Sequence, residues 1–151
     1  MMNDSEIVDT LNTLLETSRD GELGFENCAR YVEATQLKTL FSQRATECHS
    51  AASALGQLIT QYGGKPDEDG TLSGALHRGW VNVRGAVTGQ DDVAMLEECE
   101  RGEDVAKARY RKALEQPLPE PVRAIVQQQY DGVLRNHDQV RSLREQYRAA
   151  N

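Results

Sequence analysis

A repeated spacing of small and apolar residues constrains this chain more than any other feature of its sequence. From Ile7 to Val32 such residues recur at alternating intervals of four and three. This spacing places them all on one side of an α-helix with 3.6 residues per turn, as in the buried face of a helical bundle. We therefore predict one long helix, with Asp4 or Ser5 as its N-terminal cap. Its predicted buried residues are Ile7, Leu11, Leu14, Ser18, Gly21, Phe25, Cys28 and Val32.

The same spacing returns in three further segments that are separated by helix-breaking residues. The second segment follows the connection "VEATQ" and ends at Gly63-Gly64 and Pro66, the third follows Gly89, and "EQPLPEP" separates the third from the fourth. Glycine and proline at these places are typical helix ends. Four long helices are therefore predicted. The predicted buried residues of the last three are Leu37, Phe41, Arg44 or Ala45, Cys48, Ala52, Leu55, Ile59 and Tyr62, then Leu96, Cys99, Glu103, Ala106, Tyr110 and Ala113, then Val126, Tyr130, Val133, His137, Val140, Arg144 and Tyr147.

A short fifth helix is predicted between the second and third long helices. Leu72, Leu76, Trp80 or Gly79, Val83 and Val87 have helical spacing in and directly before the glycine-rich segment "SGALHRGWVNVRGAV". The simplest role of the Trp80 indole is to anchor this segment against the bundle. The sequence thus predicts an all-α fold, a four-helix bundle with a short extra helix in the crossover, as a single domain over residues 1–151.

Composition argues against several classes of function. The net charge of -7 disfavours nucleic-acid binding, which needs a concentrated basic surface. No stretch approaches the roughly 20 apolar residues of a membrane span, and the N-terminus lacks the pattern of a secretion signal. The cysteines Cys28, Cys48 and Cys99 are odd in number and far apart, so they predict neither a disulfide framework nor a zinc ribbon. We expect a cytoplasmic protein without nucleic-acid or membrane partners.

Five polar residues fall on or beside the predicted buried faces. Glu103 and His137 occupy such positions, Glu100 lies one turn before Glu103, and Glu22 and His49 directly follow buried positions. At about 1.5 Å per residue, all five lie near the middle of the bundle's length. A carboxylate buried there without a partner would lose hydration worth several kcal/mol, so it must meet a metal, an arginine or water.

This polar core has two main interpretations. In the first, the bundle holds iron, manganese or zinc, because carboxylates and imidazoles that project into a helical bundle are the ligands of dinuclear metal sites. The predicted ligands are Glu22, His49, Glu100, Glu103 and His137. In the second, Arg44 pairs with Glu103 or Glu100 and the core is free of metal. A zinc site formed by Cys48, His49 and Glu103 is a further alternative, and so is an exposed, solvated face without a buried polar core.

The chain resembles the ferritin-like superfamily and, within it, a bacterial family of four-helix-bundle domains of unknown function. The resemblance is carried by "DGELGF" on the first helix, "YGGKP" after the second, "SGALHRGW" in the crossover, "ERGEDVAKARY" on the third and "NHDQVR" on the last. It covers nearly the whole chain. It implies a ferritin-like bundle in which a first-helix Glu and E-x-x-H pairs on other helices bind metal.

The ligand pattern of that superfamily is incomplete in this chain, because at least two expected carboxylates are missing. The best-matched positions on the four helices are Gly24, Thr46-x-x-His49, Glu100-x-x-Glu103 and Leu134-x-x-His137. Ferroxidase activity is therefore not predicted. We expect either a metal-binding protein with a role in metal handling or stress response, or a non-enzymatic interaction bundle with a metal-free polar core. In both cases we expect a homodimer that forms through a helical face.

Overall fold

Four long α-helices form the described part of the protein, residues 2–66 and 92–150 of a computed structural model. Helix α1 spans Asp4–Tyr31, α2 spans Thr35–Gln61, α3 spans Asp92–Leu114 and α4 spans Glu120–Ala150. These ranges contain no β-strand, and none of their helices is long and apolar enough to cross a lipid bilayer. The predicted all-α architecture with four long helices is confirmed. The predicted short helix with Trp80 lies outside the described residues.

The start of α1 is fixed by a capping box one residue earlier than expected. The Asn3 side chain accepts a hydrogen bond from the Glu6 backbone N–H at 2.8 Å, and the Glu6 carboxylate accepts one from the Asn3 backbone N–H at 2.9 Å. The cap is therefore Asn3, whereas Asp4 and Ser5 already belong to the helix. Asn3 is favoured because Glu6 stands three residues after it, the spacing that satisfies two free N–H groups at once.

Helices α2 and α3 run in the same direction, so the bundle has a crossover between them. Asp92, the first residue of α3, accepts hydrogen bonds from the backbone N–H groups of Glu33 and Ala34 at 2.9 and 3.1 Å. Helix α3 thus begins beside the end of α1. At the other end of the bundle, the Asn12 side chain donates to the Lys65 carbonyl at 3.3 Å, so α2 ends beside the start of α1.

A left-handed glycine ends α2, as predicted from Gly63-Gly64. Gly63 has φ +80°, a conformation that side chains with a Cβ rarely adopt. The N–H of Gly64 donates to the Ile59 carbonyl at 2.9 Å, and the N–H of Gly63 donates to the Thr60 carbonyl at 3.0 Å. These two bonds form a Schellman motif, which satisfies carbonyls that the end of the helix would leave free.

The predicted buried faces are confirmed almost position by position. All eight residues predicted on α1 are buried, as are all six on α3. The exceptions, Tyr62, Tyr130, Arg144 and Tyr147, are half-buried. Their long amphipathic side chains can cover apolar surface while the polar end reaches water.

Candidate functional site in the polar core

A layer of buried polar side chains divides the core into two apolar clusters. One cluster contains Leu11 and Ile59 and lies at the end where α1 begins; the other contains Phe25 and Phe41 and lies where α1 ends. Between them each helix contributes a buried polar residue. These residues are Ser18 on α1, Arg44 on α2, Glu103 on α3 and Asn136 on α4.

Glu103 is the centre of this layer, with only 2% of its surface exposed. Its Oε2 accepts hydrogen bonds from Arg44 Nη2 at 3.3 Å and from Asn136 Nδ2 at 3.0 Å. The other terminal nitrogen of Arg44 donates to Glu47 Oε1 at 3.2 Å, at the surface. The Arg44 guanidinium also lies over the ring of Phe25, 6.0 Å from the ring centroid. One arginine therefore links three helices and connects the core to the surface of α2.

Burial dominates the electrostatics of this layer. It raises the pKa of the Glu103 carboxyl above its ordinary value, although the charge of Arg44 and the hydrogen bond from Asn136 act in the opposite direction. Burial alone would lower the pKa of Arg44, but the Glu103 carboxylate raises it and the net shift is upward. Burial also raises the pKa of the neighbouring Cys48 thiol to about 12. Arg44 is thus charged and Cys48 is a neutral thiol at neutral pH.

A second polar connection joins Ser18 of this layer to Tyr110, which follows Glu103 by seven residues on α3. The Tyr110 hydroxyl donates to Gln129 Oε1 at 2.7 Å and lies 3.2 Å from Ser18 Oγ. The Gln129 amide in turn donates to the Ala51 carbonyl on α2 at 3.3 Å. Ser18, Tyr110, Gln129 and Ala51 come from all four helices, so this connection also spans the whole bundle.

Glu100 and His137 meet at the boundary between α3 and α4. His137 Nε2 lies 2.6 Å from Asp104 Oδ1 and 4.0 Å from Glu100 Oε2. The imidazole side chain is 6% exposed, and its Nδ1 lies 3.6 Å from Asp138 Oδ1. Glu100 Oε1 pairs with Arg144 Nη1 at 2.9 Å. The structure thus brings together two predicted ligands, but an arginine already neutralises one of them.

Glu22 and His49 form a separate pair on the outside of the α1–α2 interface. Glu22 Oε2 lies 3.0 Å from His49 Nδ1, and the His49 side chain is 64% exposed. Neither residue has a hydrogen bond to Glu103 or Glu100. The five predicted ligands therefore make three separate sets of direct contacts: Glu103 with Arg44 and Asn136, Glu100 with His137, and Glu22 with His49.

Comparison with known proteins gives the family of the chain. A family model described as "Domain of unknown function (DUF2383)" matches residues 6–116, which is well over half of the sequence. The chain belongs to the DUF2383 family. Among solved structures, a mutant of Dps1 from Mycobacterium smegmatis matches with a TM-score of 0.72 and 15% sequence identity, over 92% of this chain and 95% of that chain. This likeness confirms the predicted ferritin-like bundle as a fold. No curated protein matches the sequence.

In this DUF2383 chain, two polar residues that hydrogen-bond to predicted site residues were not predicted from the sequence. Asp104 lies four residues after Glu100, on the same side of α3, and this spacing could have placed it beside His137. Asn136 directly precedes His137 and gives no comparable signal. It is buried because α4 turns the side chains of both residues toward α3.

The donors of the core do not fit a resident metal ion. A cation at Glu103 Oε2 would lie beside the Arg44 guanidinium, whose like charge would repel it. The described ranges contain no group of three or more His, Cys, Asp or Glu side chains arranged to hold a metal ion. This includes Cys48, His49 and Glu103, the alternative zinc ligands. Metal ligation by these residues stays a prediction, and the arrangement of donors favours the metal-free interpretation.

An open cleft of about 670 Å³ lies between α2 and α4, directly above the polar core. Arg44, Glu103 and Asn136 line its floor, and Ala51 and Gly132 belong to its walls. Among neighbouring helices, α2 and α4 touch least. The polar core is therefore reached from this side of the bundle.

Proposed function

We propose that this protein is a non-enzymatic interaction bundle of ferritin-like fold, whose polar core is closed by an ion pair instead of a metal ion. The contact between Arg44 and Glu103 carries the proposal. Arginine supplies the positive charge that a buried carboxylate needs, and Asn136 supplies a further donor. The core then has a structural role, and the function lies on the surface of the bundle.

Metal analysis tests this proposal directly. The protein is purified without an affinity tag, its metal content is measured, and the chelator-treated protein is titrated anaerobically with ferrous iron. We expect no stoichiometric iron, manganese or zinc and no saturable binding. Stoichiometric metal that is lost in both Glu103→Gln and His137→Gln would overturn the proposal, because it would place the metal in the core. Glu26→Gln, a change of an exposed carboxylate on α1, is the matched control.

A second candidate function is metal handling through the cluster of Glu100, Asp104 and His137. Two carboxylates approach one buried imidazole there, and this combination suits iron, manganese and zinc. As they stand, these three side chains are not arranged to hold an ion. For a cation to bind, Arg144 would have to release Glu100, and Asp104 would have to turn away from His137 Nε2. In the same titration, binding that His137→Gln abolishes and Glu103→Gln preserves would support this function.

We also propose a cytoplasmic location, which the cysteines support. Cys28, Cys48 and Cys99 are all free thiols and all buried. Free thiols are usual in a reducing compartment. The net charge of -7 supports the absence of a nucleic-acid partner.

A further inference from the structure

The second half of α2 is unusually poor in charge. Charged residues make up 27% of the chain, yet none of Asp, Glu, Lys or Arg occurs from Cys48 to Gln61. The exposed residues of this half-helix are His49, Ser50, Ser53, Gln57, Thr60 and Gln61. A helix face that only meets water is normally rich in charge, whereas the centre of a protein interface is depleted of it.

The cleft beside this surface is also poor in charge on the side that α4 lines. The exposed or half-exposed residues that α4 contributes to the cleft are Ile125, Gln128, Gln129, Gly132, Arg135 and Gln139. Only Arg135 among them carries a charge. On the α2 side, the exposed charge at the cleft is Glu47, whose side chain is 65% exposed. Each wall of the cleft thus carries one exposed charge. The two charges, Glu47 on α2 and Arg135 on α4, have opposite signs.

The hydrogen bonds across the core fix the register between these two walls. Arg44 and Asn136 bind the same oxygen of Glu103, and Gln129 binds the carbonyl of Ala51. The pair of Arg44 and Asn136 and the pair of Ala51 and Gln129 indicate the same antiparallel register of α2 and α4. In this register Glu47 and Arg135 differ in height by about two residues, or about 3 Å. The opposite charges therefore lie at nearly the same height on the two walls.

This placement selects one way of joining two copies face to face. With a two-fold axis parallel to the helices, α2 of each copy faces α4 of the other, and Glu47 of each copy meets Arg135 of the other. With an axis perpendicular to the helices at the height of these charges, α2 faces α2, and Glu47 meets Glu47. The first arrangement forms two ion pairs, whereas the second brings like charges together, which is destabilising.

We propose that the α2–α4 face is the interface of a homodimer with its two-fold axis parallel to the bundle, closed by ion pairs between Glu47 of one copy and Arg135 of the other. Glu47 then bridges Arg44 of its own chain and Arg135 of the second copy. The interface is thereby connected to Arg44 and Glu103 in the core. Small side chains such as Ala51, Ala54 and Gly132 let the two faces approach closely. This inference does not depend on whether the core binds metal.

Charge reversal of the full-length chain tests the interface. Sedimentation velocity over a wide range of protein concentration is expected to show a dimer for the wild type. Glu47→Lys and Arg135→Glu each place like charges together at both contacts, so each variant alone is expected to dimerise at least about tenfold more weakly. Circular dichroism checks that the variants fold.

A double variant and a mixture of the two single variants make the test specific. The double variant with Glu47→Lys and Arg135→Glu is expected to dimerise like the wild type, because both pairs are reversed. An equimolar mixture of the two single variants is expected to form a heterodimer, in which both contacts join opposite charges. Glu26→Lys and Arg111→Glu, exposed changes on α1 and α3 outside the cleft, are the matched controls and are expected to leave the dimer unchanged.

Three outcomes would overturn the proposal. The first is a wild-type monomer at all concentrations, which would show that a second copy does not cover this face. The second is a dimer that neither single variant weakens. The third is a pair of folded single variants that dimerise weakly and recover neither in the double variant nor in the mixture, because opposite charges would then not meet at the interface.

Discussion

Arg44 Nη2 lies 3.3 Å from Glu103 Oε2, and this contact joins α2 to α3 between the two apolar clusters of the core. Both side chains are more than nine-tenths buried. A buried ion pair adds little to stability compared with apolar residues of similar size, but removal of one partner strands a charge. The stability of the core therefore depends on the presence of both residues.

Glu103→Ala is expected to destabilise the protein by about 3–5 kcal/mol, because it leaves the Arg44 guanidinium buried without its carboxylate. Arg44→Met is expected to have an effect of the same sign, because it strands Glu103. The double variant Arg44→Met with Glu103→Leu removes both charges and is expected to be more stable than either single variant. Urea denaturation measures all three. Additive losses in the double variant would contradict the coupling of the pair.

The stability of the protein should depend on pH through Glu103. Burial raises the pKa of this carboxyl in the folded state, so the folded protein keeps the proton to a higher pH than the unfolded chain does. The free energy of unfolding should then fall as pH rises from the ordinary carboxyl range through the raised pKa. Glu103→Gln is expected to remove this fall, and the exposed Glu26→Gln is expected to keep it. Urea denaturation midpoints measured across that pH range test this prediction. Identical profiles for the wild type and Glu103→Gln would contradict it.

The spacing of apolar residues was enough to predict most of the fold. A helix that packs in a bundle must keep its small and apolar residues on one side, so the intervals of three and four located the buried face of α1 from Ile7 to Val32. The stop at Gly63-Gly64 was also predictable, because glycine tolerates the left-handed conformation that ends a helix. The spacing carries no information about capping, and so Asn3 was missed.

The candidate site was harder to predict, since a residue beside a buried position can turn either way. Glu22 and His49 each follow a buried residue by one position, and they pair with each other at the surface instead of turning inward. Arg44 was named as a partner for Glu103 or Glu100, because it could occupy the buried face of its helix, and it pairs with Glu103. Asn136 could not be foreseen, since only the packing of α4 against α3 brings it to the same oxygen.

Alanine substitutions at two glycines, one inside α2 and one at its end, should change the stability of the protein in opposite directions. Gly63→Ala is expected to destabilise the protein by about 1 kcal/mol, because φ is +80° there and a Cβ is strained in that conformation. Gly56→Ala is expected to stabilise it by about 0.5–1 kcal/mol, because Gly56 is inside the helix and, among the described residues, a Cβ would meet Pro66 at an ordinary 3.8 Å. Thermal unfolding of both variants checks the pair. A gain in stability for Gly63→Ala would contradict the left-handed helix end.

Gly21 and Cys48 should show strong coupling, because α1 and α2 lie close together where these two residues meet. A Cβ on Gly21 would lie 2.9 Å from Cys48 Sγ, closer than atoms can pack without a shift. Gly21→Ala alone is therefore expected to destabilise the protein by about 1–3 kcal/mol through overpacking. In a Cys48→Ala background the clash is gone, and the same change is expected to be neutral or to stabilise the protein by up to about 1 kcal/mol through its helix propensity. A double-mutant cycle by urea denaturation measures this reversal of sign, and an equal loss in both backgrounds would show that the helices do not meet at these two residues.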